Sequence, residues 1–191
     1  LEGRLNGNGY LRQTGKDPFT GELALHTTAG RLFYRREGEV AGELGLRPSS
    51  LSLRLDRDAV HAETRLELAG ADGLRGQLTL ERANNPESAA LDGRLQGQIA
   101  DLDFLPGLVP EITGVDGRVT VDAAVTGPPA APDWDGSIRF TAEELALATP
   151  GLTTAADFRL TPGENRALRL TGLLRSGEGR LQVTGSAAPG R

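Results

Sequence analysis

Arg118-Val119-Thr120-Val121-Asp122-Ala123 alternates charged or hydroxylated residues with aliphatic ones at a period of two, and that alternation sets the fold. Successive side chains of an extended chain point to opposite faces. Val119, Val121 and Ala123 therefore share one side, and Arg118, Thr120 and Asp122 the other. The pattern recurs on both sides of this stretch. Leu51-Ser52-Leu53-Arg54-Leu55-Asp56, Arg65-Leu66-Glu67-Leu68 and Gln77-Leu78-Thr79-Leu80-Glu81 precede it. Ser137-Ile138-Arg139-Phe140, Leu168-Arg169-Leu170-Thr171 and Leu181-Gln182-Val183-Thr184 follow. Strands with one apolar and one wet face favour antiparallel pairing over a parallel sheet covered on both sides.

Turn signals separate these runs at the intervals of an all-β chain. Ala71-Asp72-Gly73, Val115-Asp116-Gly117 and Ser176-Gly177-Glu178-Gly179 read as hairpin turns, and Asn84-Asn85-Pro86-Glu87 and Pro162-Gly163-Glu164-Asn165 as longer loops. Pro128-Pro129 with Pro132 is the stiffest connector, so residues 127–133 are the candidate internal boundary in what otherwise reads as one continuous unit, 1–191. Only Asp101 to Pro110 has the spacing of a short helix or apolar loop. Gly3-Arg4-Leu5-Asn6-Gly7 recurs loosely as Gly93-Arg94-Leu95-Gln96-Gly97 and as Gly179-Arg180-Leu181, which suggests a sheet extended by similar hairpins rather than a strict solenoid.

Composition narrows the function. The 191 residues carry a formal net charge of -5, and the arginines are scattered, with Arg35-Arg36 the densest pair. That argues against a nucleic-acid partner, which needs a basic stripe to neutralise phosphates. No cysteine is present, so disulfides and thiolate metal sites are excluded. No apolar run approaches the roughly 18 residues of a membrane-crossing helix. The chain starts at Leu1 directly in strand-like sequence, and a segment of a longer protein is expected.

A sheet of about a dozen strands spans on the order of 55 Å, and open sheets that wide curl, split into two layers or close. No amphipathic helix is long enough to cover its apolar face. The expected fold is therefore all-β: a long, strongly curved, mainly antiparallel β-sheet that covers its own apolar face. Full coverage gives a sandwich or barrel, and partial coverage a hydrophobic groove. Leucine dominates that face while aromatics make up only 4% of the chain, a ring-poor wall that suits acyl chains better than a sandwich core. Candidate lining residues are Leu53, Leu66, Leu68, Leu78 and Leu80 in the first half. Val119, Val121, Ile138 and Phe140 follow, then Leu168, Leu170, Leu181 and Val183. Charge substitutions are expected to be damaging at Val121, Ile138, Leu170 and Val183 and nearly silent at Thr120, Arg139, Arg169 and Gln182.

Chemistry-bearing motifs are sparse. His26 and His61 sit in strand-like surroundings and make a poor zinc site without cysteine. Gly7-Asn8-Gly9 opens like a dinucleotide fingerprint, but Arg12 stands where glycine belongs and no helix follows. The carboxylate pairs Asp56/Asp58, Asp101/Asp103, Asp133/Asp135 and Glu143/Glu144 read as solvated turn or edge charges. Asp133-Trp134-Asp135-Gly136 lacks the later ligands of a calcium loop. Glycines 93, 97, 117, 136, 172 and 185 lie in or beside strands, where glycine permits bends and bulges. No enzyme, cofactor or metal is expected.

The second half carries a more specific order of motifs. Gly97-Gln98-Ile99-Ala100-Asp101-Leu102 leads to Leu105-Pro106 and Leu108-Val109-Pro110, then Ile112-Thr113-Gly114-Val115-Asp116-Gly117-Arg118-Val119. Val125-Thr126-Gly127, Pro132-Asp133-Trp134-Asp135-Gly136-Ser137-Ile138, Pro150-Gly151-Leu152 and Arg175-Ser176-Gly177-Glu178-Gly179-Arg180-Leu181-Gln182-Val183-Thr184-Gly185 complete it. This order resembles the conserved C-terminal domain of the TamB family, large AsmA-like periplasmic proteins of Gram-negative bacteria. Residues 91–191 carry the resemblance, and residues 1–90 match only in style.

The resemblance implies a taco-shaped sheet around a hydrophobic trough, in a periplasmic protein anchored in the inner membrane and bridging the inner and outer membranes. It implies carriage of phospholipid acyl chains along the trough, with assistance to outer-membrane protein assembly alongside TamA as the alternative role. A closed structural β-domain is the third reading, and a polysaccharide-acting β-helix is disfavoured. Two unpaired sheet edges make a dimer of the isolated chain conceivable.

Overall fold

The computed structural model describes residues 4–36, 39–68, 73–81, 89–149, 151–164 and 167–187. The elements run β1 (Leu5–Arg12), β2 (Thr20–Thr27), β3 (Gly30–Arg36), β4 (Glu39–Leu46), β5 (Ser50–Leu55), β6 (Ala59–Glu67), β7 (Gly73–Glu81) and β8 (Leu91–Ile99). The one-turn helix α1 (Leu105–Leu108) follows, then β9 (Ile112–Gly127), β10 (Asp133–Leu147), β11 (Leu152–Pro162), β12 (Leu168–Ser176) and β13 (Gly179–Ala187). Eleven strands form one sheet in the order β1-β2-β5-β6-β7-β8-β9-β10-β11-β12-β13, while β3 and β4 pair with each other as a separate hairpin. Every pairing is antiparallel, and the two ends of the order do not meet, so the sheet is open.

Short local connections make this meander. Gly177-Glu178 closes β12 onto β13 with Ser176 opposite Gly179. The Pro128–Pro132 connector is the loop of the β9–β10 hairpin, closed by Ala131 N–H donating to the Pro128 carbonyl at 2.9 Å. After Pro162 the Gly163 N–H donates to the Ala167 carbonyl at 2.7 Å. The expected turn residues Ala71 and Asp72, the loop Asn84-Asn85-Pro86-Glu87 and Asn165 lie outside the described residues. The short helix falls within Asp101 to Pro110, where the spacing placed it.

One expected turn is not a turn. Val115-Asp116-Gly117 lies inside β9, a continuous strand of 16 residues. The irregularity signalled by Asp-Gly appears instead as a bulge in the facing strand. Ala142 opposes Gly117, but the next pairs are Glu144 with Asp116 and Leu145 with Val115. The bulge resets the alternation, so Ala142 and Leu145, an odd number of residues apart, face the same side. That side holds the packed cluster of Ala142, Leu145 and Ala156, with Ile112, Val115, Phe140, Leu147, Phe158 and Leu174 against it. Phe140 and Phe158 oppose each other directly, ring centroids 6.3 Å apart. Leu145→Ala is expected to destabilise the fold by about 2–4 kcal/mol, the cost of an unfilled leucine site, read from denaturant midpoints.

Beyond this cluster the sheet is a single layer. Among the described residues each of its strands packs mainly on its ladder neighbours, and α1 packs on β9 and on the β3–β4 hairpin. Leu102 and Leu68 are both 1% exposed at that end of the sheet, Leu68 bridging to Leu46 at the end of β4. The accessible surface is 13050 Å². A compact monomer of 20.1 kDa exposes only about 8,700 Å². The excess belongs to a sheet whose two faces are both largely open, and a closed sandwich is thereby overturned. Eleven strands stacked at about 4.8 Å give a sheet roughly 50 Å across.

Candidate functional site

Directly opposed residues of an antiparallel ladder share a face, so the register assigns every side chain across the sheet. From β12 the apolar set passes through Leu170 to Leu160, Ile138, Val121 and Gly97. It continues to Leu74 and Leu66 in β7 and β6. The parallel row through Leu53, Ala62, Leu78 and Gly93 joins the same side and reaches β1 through Leu23. The register puts twelve of the thirteen candidates on one face: Leu53, Leu66, Leu78, Leu80, Val119, Val121, Ile138, Phe140, Leu168, Leu170, Leu181 and Val183. Leu23, Leu51, Leu95, Val125 and Trp134 share it and are further members that the same alternation signals.

Most of this face is open. Leu78, Ile138 and Leu181 are exposed, Leu181 by 57%, and most of the other candidates are half-buried. Leu68 differs: it stands one residue past β6, bridged to Leu46, and at 1% exposure it is sealed from solvent rather than part of the open face. An apolar depression of about 380 Å³ touches residues of six successive strands, with Ala62, Gly76, Gly93 and Ala123 on its floor positions and Leu51, Leu78, Leu95 and Trp134 among the large residues around them. A second, of about 630 Å³, lies over β1, β2 and β5 between Leu11, Leu23, Leu25 and Leu53. The one buried polar side chain described on this face is Thr154, whose hydroxyl donates to the Arg175 carbonyl at 2.7 Å and is thereby satisfied. Contacts here are aliphatic and non-directional.

The opposite face is wet and charged. Arg139 grips Asp157 through two hydrogen bonds of 2.9 and 2.7 Å. This hydrogen bonding, opposed by burial and aided by the charges of Arg139, Arg175 and Arg159, holds the Asp157 carboxyl below the ordinary range. Whatever stability that ion pair adds is present above the ordinary carboxylate pKa and fades as pH falls through the depressed one. Arg94 and Gln96 both donate to Asp122 at 3.1 Å.

Among the described residues the histidines and the carboxylate pairs are spread over several strands and loops of the sheet. His61 Nδ1 lies 3.2 Å from the Thr79 hydroxyl and its Nε2 3.6 Å from Asp56, which is also bound by Arg54. His26 stands on the same wet face, opposite Asn6 and Ser50. Asp101 accepts from the Asp103 backbone N–H, and Asp135 from the Gly136 N–H, both local turn-type contacts. Glu143 and Glu144 form the β10 bulge. Among the described residues no three potential ligands gather around a metal position. Comparison with known protein families, with curated proteins and with solved structures finds no match to this chain.

Proposed function

We propose that this chain is a non-enzymatic segment of a TamB-like periplasmic bridge, whose apolar face carries phospholipid acyl chains between the inner and outer membranes. The observation that carries this reading is one apolar face, continuous through eleven antiparallel strands and left uncovered over most of its width. Leu23, Leu51, Leu78, Leu95, Ile138 and Leu181 all stand exposed on it, and a contiguous apolar face of this kind calls for an apolar occupant. The small residues along the middle of the face favour rolling of the sheet into a trough, because a concave surface leaves less room per side chain. Each methylene moved from water onto this wall gains about 0.8 kcal/mol. Without polar anchors the chains stay mobile along it, as a conduit requires.

The test is native mass spectrometry of the purified chain, followed by titration with a fluorescent fatty acid. Co-purified phospholipid, or saturable binding near stoichiometric, is expected. A strictly monomeric protein that binds neither overturns the reading. A second reading, a scaffold for outer-membrane protein assembly with TamA, is favoured by one specific observation: among the described residues β1 and β13 end the sheet with unpaired edges, each able to accept a strand. Photo-crosslinking from β13 to a nascent strand, with none from the apolar face to lipid, would reverse the order of the two.

A further inference from the structure

Arginines that are far apart in the chain stand opposite one another across the wet face. Arg65 opposes Arg75, Arg139 opposes Arg159, and Arg175 opposes Arg180. Like charges directly opposed across a ladder repel, so each pair needs an anion nearby. The second pair has one in Asp157, which Arg139 binds and whose charge also acts on Arg159 and Arg175.

Arg65 and Arg75 hold no carboxylate partner among the described residues, whereas neighbouring Arg94 is committed to Asp122. The two stand mid-row in Ser50–Arg65–Arg75–Gln96, four directly opposed residues on adjacent strands, all with hydrogen-bond donors. The row lines a polar depression of about 450 Å³, with Ser52 and Gln77 alongside. Glu63 and Glu67 flank Arg65 two residues away along β6, and Glu63 also lines the depression, but among the described residues neither forms an ion pair with Arg65 or Arg75.

We propose that Arg65 and Arg75 bind a phosphomonoester group, with Ser50 and Gln77 completing its hydrogen bonding. Cβ atoms of directly opposed residues lie about 5 Å apart, so two guanidinium forks can converge on one tetrahedral dianion, each offering paired N–H groups. The anion turns a repulsive pair into a bridged one. This site is separated from the acyl-chain surface by the thickness of the sheet, so it does not serve the headgroup of a lipid lying on the other side.

Titration of the chain with inorganic phosphate at fixed ionic strength tests this, read by the arginine Nε–H NMR resonances and by Tm. Saturable shifts confined to Arg65 and Arg75 and their neighbours are expected, with a rise in Tm as phosphate saturates the folded state. Arg75→Gln is expected to weaken phosphate binding roughly tenfold, the loss from one charge-assisted contact. The same variant should raise Tm without phosphate by relieving repulsion, an effect that a misfolded protein cannot show. Arg118→Gln, on the same face in the next strand beyond Gln96, should bind phosphate as the parent does. Vesicles of phosphatidylcholine with phosphatidate distinguish the source. Flotation that free phosphate competes away and Arg75→Gln loses assigns a membrane-borne phosphate, and phosphate binding without flotation assigns a soluble one. Absence of saturable phosphate binding, or equal weakening by Arg118→Gln, overturns the proposal.

Discussion

Aspartate at Val121, Ile138, Leu170 or Val183 is expected to abolish binding of acyl chains, while aspartate at Thr120, Arg169 or Gln182 leaves it intact. The register puts the first four on the apolar face and the others on the wet one. In the unloaded protein an introduced carboxylate at the apolar sites stays partly hydrated, since Ile138 is 36% exposed and the other three are half-buried. The cost falls when a chain loads. Burying the charge beside methylenes without a partner costs several kcal/mol, so one such residue interrupts a continuous apolar path. On the wet face the same change should stay within about 0.5 kcal/mol of the parent in stability. Arg139, which alternation alone would add to the silent group, does not belong there: Arg139→Asp removes the bidentate partner of Asp157 and sets two carboxylates together. The measurement is lipid retained in native mass spectra, then outer-membrane integrity in cells lacking redundant transporters, with protein levels checked. Equal tolerance on both faces would mean that the stripe is no conduit. Collapse of protein levels for the apolar set would mean that it is simply core.

Gly136→Ala should destabilise the sheet by about 3 kcal/mol or more, a drop in Tm of roughly 10 °C for a domain this size. Gly136 sits inside β10 at φ +105°, a conformation that an L side chain rarely adopts. An added Cβ would also meet the Asp122 carbonyl oxygen and lie 2.9 Å from the Ala123 Cα, both backbone atoms of the adjoining strand. Neither can swing away, so β9 and β10 must part. Gly151 is the control. Its φ is also positive, at +76°, but nothing lies within 4 Å of the added atom. Gly151→Ala should therefore cost only the left-handed backbone preference, about 1 kcal/mol. Equal losses at the two positions would show that strand separation at Gly136 contributes nothing.

Period-two alternation is a local property, imposed by the geometry of an extended backbone on each residue and its neighbours. It was therefore legible without any tertiary information: strands throughout, and a short helix or apolar loop around Pro106, while the common face of residues as distant as Leu53 and Val183 was expected from their apolarity and is set by the register. What depends on a partner strand was not legible. Asp116-Gly117 reads as a turn in isolation, yet β9 runs straight through it because β10 supplies the bulge opposite. Leu68 reads like every other inward leucine, and only its neighbourhood at the Leu46 bridge seals it. Above all, Arg65 and Arg75 look scattered along the chain. The ladder register of β6 on β7 sets them face to face, because charge density on a sheet follows strand pairing and not sequence distance.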